Sequence, residues 1–172
     1  MNNKIKKLTF TSMITAIYFI LCFVEQTFAN GAIQCRLSEA LTLLPLFFPE
    51  AIIGVTLGCL IFNISTGIIW DITIGTLCTF VSCIITYLVG RFIKKDIIKI
   101  ILGGLSPVLI NALIIPLVLM YGYKLTNGYI FLAISIFIGQ FIAIYIIGGL
   151  MYFPLKKVLA RFKVINSKED IN

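Results

Sequence analysis

The fold class predicted for this chain is an all-α integral membrane protein of six transmembrane helices with both termini in the cytoplasm. Three observations predict it. First, 60% of the 172 residues are hydrophobic and 12% are charged. A soluble domain of this size keeps a large solvated exterior and has no place for that much apolar surface. Second, the chain contains five uncharged runs, 8–24, 51–70, 72–90, 100–123 and 125–155, each near or above the roughly 17 to 25 residues that span a bilayer as a helix. Third, Lys and Arg cluster at the ends of these runs. With six crossings, 12 of the 14 fall on the cytoplasmic side and only Arg36 and Lys124 outside. The best five-helix arrangement gives 10 against 4 and leaves Lys4, Lys6 and Lys7 outside, so positive-inside bias favours six.

The helices are expected at 8–28, 36–49, 51–66, 70–92, 100–121 and 129–158, within one membrane domain covering 1–172. The first follows Lys4, Lys6 and Lys7, and with "TFANGA" after it imitates a secretory signal with a small-residue cleavage site. Its uncharged run of 17 residues exceeds most signal cores and is just long enough to span, so a retained helix is expected. The second, "CRLSEALTLLPLFFPE", is the anomaly: Arg36 and Glu39 stand at its start and Glu50 follows its end. As an α-helix, 36–49 extends about 21 Å, short of the roughly 30 Å hydrocarbon core. Such a helix is expected to stop inside the protein and face a cavity. The third carries Gly54 and Gly58, a GxxxG face for an internal helix contact. The sixth is long enough to tilt, or to run past the interface into "KKVLARFK".

On this plan the polar side chains gather toward the outer half. Glu25 and Gln26 end the first helix; Gln34, Arg36 and Glu39 begin the second; Asn63 closes the third; Trp70 and Asp71 open the fourth; Asn111 and Gln140 lie about midway along the fifth and sixth. Polar groups at membrane depth are costly and usually face a cavity or a partner, so their shared depth points to a solute pocket open to the exterior. Each also has a structural reading. Arg36 and Glu39, three residues apart, pair with each other as readily as they contact a ligand. Glu25 fits an interfacial charge. Trp70 and Asp71 fit an interfacial anchor and a helix-start acid, and Asn111 and Gln140 fit hydrogen bonds between helices. Tyr121, Tyr123 and Tyr129 read more as an aromatic belt than as a lid. The inner half shows only boundary charges and small residues, with no polar path through. Ser12 and Ala16 form a small-xxx-small face that could receive another subunit; taken alone, internal packing is the expectation there.

Several function classes are disfavoured. The net charge of +7 lies in helix-flanking clusters suited to topology and anionic lipid, with no aromatic-interleaved basic surface for nucleic acid. The five cysteines form no CxxC pair and there is no histidine, which argues against a metal or a cofactor. No nucleotide-binding loop, repeated half or nucleophile–base pair is evident. An external pocket without an energy module suggests a capture subunit that borrows its motor.

The run "CRLSEALTLLPLFFPEAIIGVTLGCLIFNI", then "DITIGTL" and "SPVLINALI", resembles the QueT family over nearly the whole chain, most specifically in R-x-S-E-A-L-T-x-L-P. These are substrate-binding S components of energy-coupling factor importers associated with queuosine precursors. The resemblance implies a six-helix S-component fold with outer loops closing over the solute. It also implies as partners a transmembrane coupling subunit and two cytoplasmic ATPase subunits, so the chain itself is not an enzyme. In that family the first helix docks through an Ala-xxx-Ala face, here matched by Ser12 and Ala16. The implied cargo is a 7-deazaguanine, such as prequeuosine base, queuine or the nucleoside. Glu39 and Asp71 are candidates for its guanine-like edge and cationic aminomethyl group, Arg36 or Asn111 for O6, and Trp70 or a loop Tyr for stacking. Rival readings are an S component for another vitamin-like solute, a stand-alone secondary transporter or channel, and a structural membrane protein without a ligand.

Overall fold

The computed structural model describes residues 3–28 and 36–161. All regular structure among them is helical. Helix α1 runs Asn3–Phe28, a 3-10 helix Leu37–Leu46 and α2 Glu50–Thr66. Helix α3 runs Asp71–Phe92 and opens with a π-helical turn, Asp71–Gly75. Helix α4 spans Asp96–Tyr121, and α5 spans Tyr129–Arg161 with a π segment, Ile142–Gly148, in its middle. Among the described residues, four helices are long and apolar enough to cross a membrane, within α1, α3, α4 and α5; the 3-10 helix and α2 are shorter apolar helices. Large apolar side chains are exposed all round the bundle, including Leu8, Phe92, Ile130 and Leu150, as a surface solvated by lipid requires. Gln34, Cys35, the "TFANGA" segment beyond Phe28, Lys163 and Lys168 lie outside the described residues.

The segment expected as an α-helix over 36–49 is instead a ten-residue 3-10 helix. Pro45 lies inside it and cannot donate a backbone hydrogen bond. The change of helix type preserves length: ten residues at about 2.0 Å rise extend roughly 20 Å, what fourteen residues of α-helix cover. It also brings positions three apart into line, which stacks Arg36, Glu39 and Thr42 along one edge.

This short helix is the centre of the molecule. It contacts α1, α2, α3, α4 and the π segment of α5, and eight of its ten residues are buried. Glycines on three neighbours admit it. A Cβ on Gly90 of α3 would lie 2.6 Å from the Leu46 carbonyl oxygen. One on Gly103 of α4 would lie 2.8 Å from the Leu46 side chain, and one on Gly148 of α5 2.9 Å from Leu43.

The GxxxG face of α2 packs against α1. Cβ atoms on Gly54 and Gly58 would fall 2.9 Å from Ile14 and 2.8 Å from Tyr18, each beside a backbone carbonyl of α1. The Thr15 hydroxyl lies 3.0 Å from the Gly54 carbonyl and 2.9 Å from that of Thr11. Because α1 spends this face on α2, Ser12 and Ala16 on its other side are exposed. Internal packing, expected of that pair when read alone, is corrected: no helix covers them among the described residues.

Hydroxyl groups also link α3 to α4. Helix α3 buries Thr79, Ser82 and Thr86 in succession. Thr86 donates to the Gly103 carbonyl (2.9 Å) and Ser106 of α4 to the Ser82 carbonyl (3.2 Å). These hydroxyls tie α3 to α4 without adding charge. Near α2 and the ends of α4 and α5, Lys7 pairs with Glu50 (2.7 Å) and Lys156 with Asp96 (2.9 Å).

Candidate functional site

The polar cluster is built from the start of the 3-10 helix outward. Glu25, at the end of α1, receives the Ser38 backbone N–H at 2.7 Å and its hydroxyl at 2.9 Å. Its carboxylate therefore caps the first turn of the 3-10 helix, where unsatisfied N–H groups and the dipole favour an anion. One turn on, Glu39 is 2% exposed. Its Oε1 accepts the Tyr18 hydroxyl (3.1 Å) from α1, and its Oε2 faces the Asn111 amide nitrogen (3.4 Å) from α4. Thr42 donates back to the Glu39 carbonyl at 2.6 Å. Arg36, partly buried, is within electrostatic reach of both Asp71 and Glu39.

A second acid enters from α3. Asp71 is 2% exposed and its Oδ2 accepts the Tyr123 hydroxyl at 2.5 Å. Asn63 of α2 donates to the Asp71 carbonyl (2.8 Å) and to Thr76 Oγ1 (3.1 Å), pinning the end of α2 to the π turn. Gly75, closing that turn, leaves the room: a Cβ there would sit 3.0 Å from Asp71 Oδ1 and 3.3 Å from Asn63 Nδ2. Tyr123 lies between α4 and α5. Burial, then the Asp71 contact, pushes its phenol up to about 12, so at neutral pH it remains a donor to the carboxylate.

Gln140 completes the arrangement from α5, two residues before the π segment. It is 3% exposed, and its Oε1 is buried without a hydrogen-bond partner. Together with Arg36, Ile115 and Ile136 it lines a small cleft of about 10 Å³, room for roughly one water molecule. Trp70 stands outside this group, 45% exposed at the surface.

Of the residues singled out from sequence, Arg36, Glu39 and Asn111 meet directly or through the field of the guanidinium; Asp71 and Asn63 form an adjoining unit coupled to them through Arg36. Arg36 and the acids Glu25, Glu39 and Asp71 set one basic against three acidic side chains here, an excess favourable to a cation. Tyr18, Ser38, Gly75 and the donor role of Tyr123 were not foreseen. Tyr18 had a signal: it lies seven residues before Glu25, on the face of α1 that also carries Ile14 and Cys22. Tyr123 had none, since only the return of the chain after α4 brings it to Asp71. Both π segments adjoin site residues, a frequent association at functional sites.

A family model described as "QueT transporter" matches residues 8–157 of the chain. No curated protein and no solved structure matches it.

Proposed function

The chain belongs to the QueT transporter family, a membrane transport protein, and from that membership we propose that it is the substrate-capturing S component of an energy-coupling factor importer for queuosine precursors. The solute is a 7-deazaguanine carrying a cationic side arm. The observation that carries this reading is the grouping of partly buried Arg36 and buried Glu39, at the start of the 3-10 helix, with buried Asp71 of α3. Replacing buried ions with apolar packing is often neutral or stabilising, so two buried carboxylates within electrostatic reach of one guanidinium fit a ligand site better than a purely stabilising one. The acidic excess suits an ammonium group, and charge-assisted hydrogen bonds supply strong, directional contacts.

In this proposal all six helices cross the membrane of a prokaryotic cell with both termini inside. The 3-10 helix crosses as a short central segment shielded from lipid by its neighbours. Asp71 faces the cationic arm. Glu39 and Asn111 set the position of Arg36, and Asn63 fixes the turn that presents Asp71. Ser12 and Ala16 form the exposed face that docks on the coupling subunit, while the two ATPase subunits drive release. A heterocycle needs more space than the cleft beside Gln140 offers, so loading requires the helices around it to part.

Mass spectrometry of small molecules co-purifying with the chain tests the cargo. The expected result is a 7-deazaguanine in amounts stoichiometric with protein. A different vitamin-like metabolite in its place would replace the cargo and keep the fold. Transport by the chain alone in liposomes, without ATP, would overturn the S-component reading.

A further inference from the structure

We propose that Gln140 and Arg36 form an edge-reading subsite that selects a lactam, a ring N–H beside an exocyclic carbonyl, over the corresponding amino heterocycle. The inference rests on the cargo proposed above and assigns the residues that read its ring.

Two polar side chains and two apolar ones line the cleft. Ile115 and Ile136, each 4% exposed, offer apolar walls suited to the faces of a flat ring. Arg36 is a donor only, so a group beside it must bring an acceptor. The carbonyl of Gln140 is an acceptor with no partner, buried where water cannot freely reach it, so a group beside it must bring a donor. An acceptor next to a donor on one ring edge is the pattern of a lactam. The amino counterpart presents the reverse, an exocyclic donor toward Arg36, and no rotation of the Gln140 amide cures that mismatch.

Glu39 takes a different place in this account. Its two oxygens already face Tyr18 and Asn111, so it acts as a positioning residue for Arg36. Asp71, which enters from α3, is left for the cationic arm. The edge and the arm of the solute are thus read by different elements, α5 with the 3-10 helix for one and α3 for the other.

The experiment is calorimetric binding to the purified full chain of two probes, 7-aminomethyl-7-deazaguanine and its 6-amino counterpart. The expected wild-type preference for the lactam is at least a hundredfold, because a site built to hydrogen-bond one edge rejects an analogue lacking it. Gln140→Leu is expected to lower that ratio at least tenfold, or to abolish binding of both probes. Gln140→Glu, which keeps an acceptor, is expected to retain lactam binding and the preference. If the cleft only houses a structural water, Gln140→Leu lowers stability and leaves the ratio unchanged, which overturns the subsite while the cargo reading stands. Loss of lactam binding in Gln140→Glu, with the protein folded, overturns it too. A wild-type chain that binds neither probe overturns the cargo reading and this inference together.

Discussion

Glu39 illustrates how a buried charge becomes tolerable one contact at a time. A carboxylate at 2% exposure is stable only when its lone pairs are met, and Tyr18 and Asn111 meet them from two different helices. Asp71 is met by Tyr123, and Gly75 keeps the space its carboxylate occupies. Glu39→Gln and Asp71→Asn preserve shape and remove charge. Each is expected to weaken 7-deazaguanine binding at least tenfold in well-folded protein, measured by calorimetry; unchanged affinity in both would sink the charged pocket. The Tyr123 contact carries its own pH signature. Its phenol is raised from an ordinary 10 to about 12, so the fold favours the protonated form. The stabilisation is complete below the unfolded value and is lost as pH rises through the folded one. An ultraviolet titration is expected to show one fewer high-pH phenol ionisation in Tyr123→Phe than in the native chain.

At the scale of elements, the 3-10 helix and the two π segments, Asp71–Gly75 and Ile142–Gly148, depart from sequence expectation. Apolar periodicity and length identify a short helical segment at 36–49 but do not distinguish 3-10 from α geometry. Close packing accompanies that geometry: Gly90 lets α3 approach the Leu46 backbone, and Gly103 and Gly148 admit the Leu46 and Leu43 side chains. Gly90→Ala places a methyl 2.6 Å from the Leu46 carbonyl oxygen. Backbone cannot give way there as a flexible side chain can, so a loss of about 1–3 kcal/mol is expected from overpacking. Thermal denaturation in detergent reads it, and an unchanged melting temperature would count against the packing described. The GxxxG contact was legible in advance because it is local: Gly54 and Gly58 repeat at helical spacing, and α1 is the preceding long helix. The Glu25 cap on Ser38 was not, since it joins two elements across residues 29–35 and has no spacing rule.

For the whole molecule, two surfaces matter: the polar interior around the 3-10 helix and the exposed Ser12–Ala16 face of α1. They are separate, with Tyr18, Ile14 and Cys22 turned inward on the same helix. On the proposed docking role, Ser12→Leu and Ala16→Leu are expected to leave solute binding unchanged and to block assembly with a coupling subunit. Co-purification of the subunits measures assembly, and uptake by cells measures its consequence; normal uptake in both variants would remove the docking role. Composition and the spacing of uncharged runs were enough to establish an all-helical, lipid-solvated chain, because a bilayer imposes length and apolarity on every crossing one residue at a time. They also picked out Arg36, Glu39, Asp71, Asn111 and Gln140, since each is anomalous against its own apolar surroundings. Which of these share a hydrogen bond, which face of α1 is free, and which amide is left without a partner depend on the rotation and closeness of helices distant in sequence. Those are properties of packing, set by many weak contacts acting together, and no local pattern encodes them.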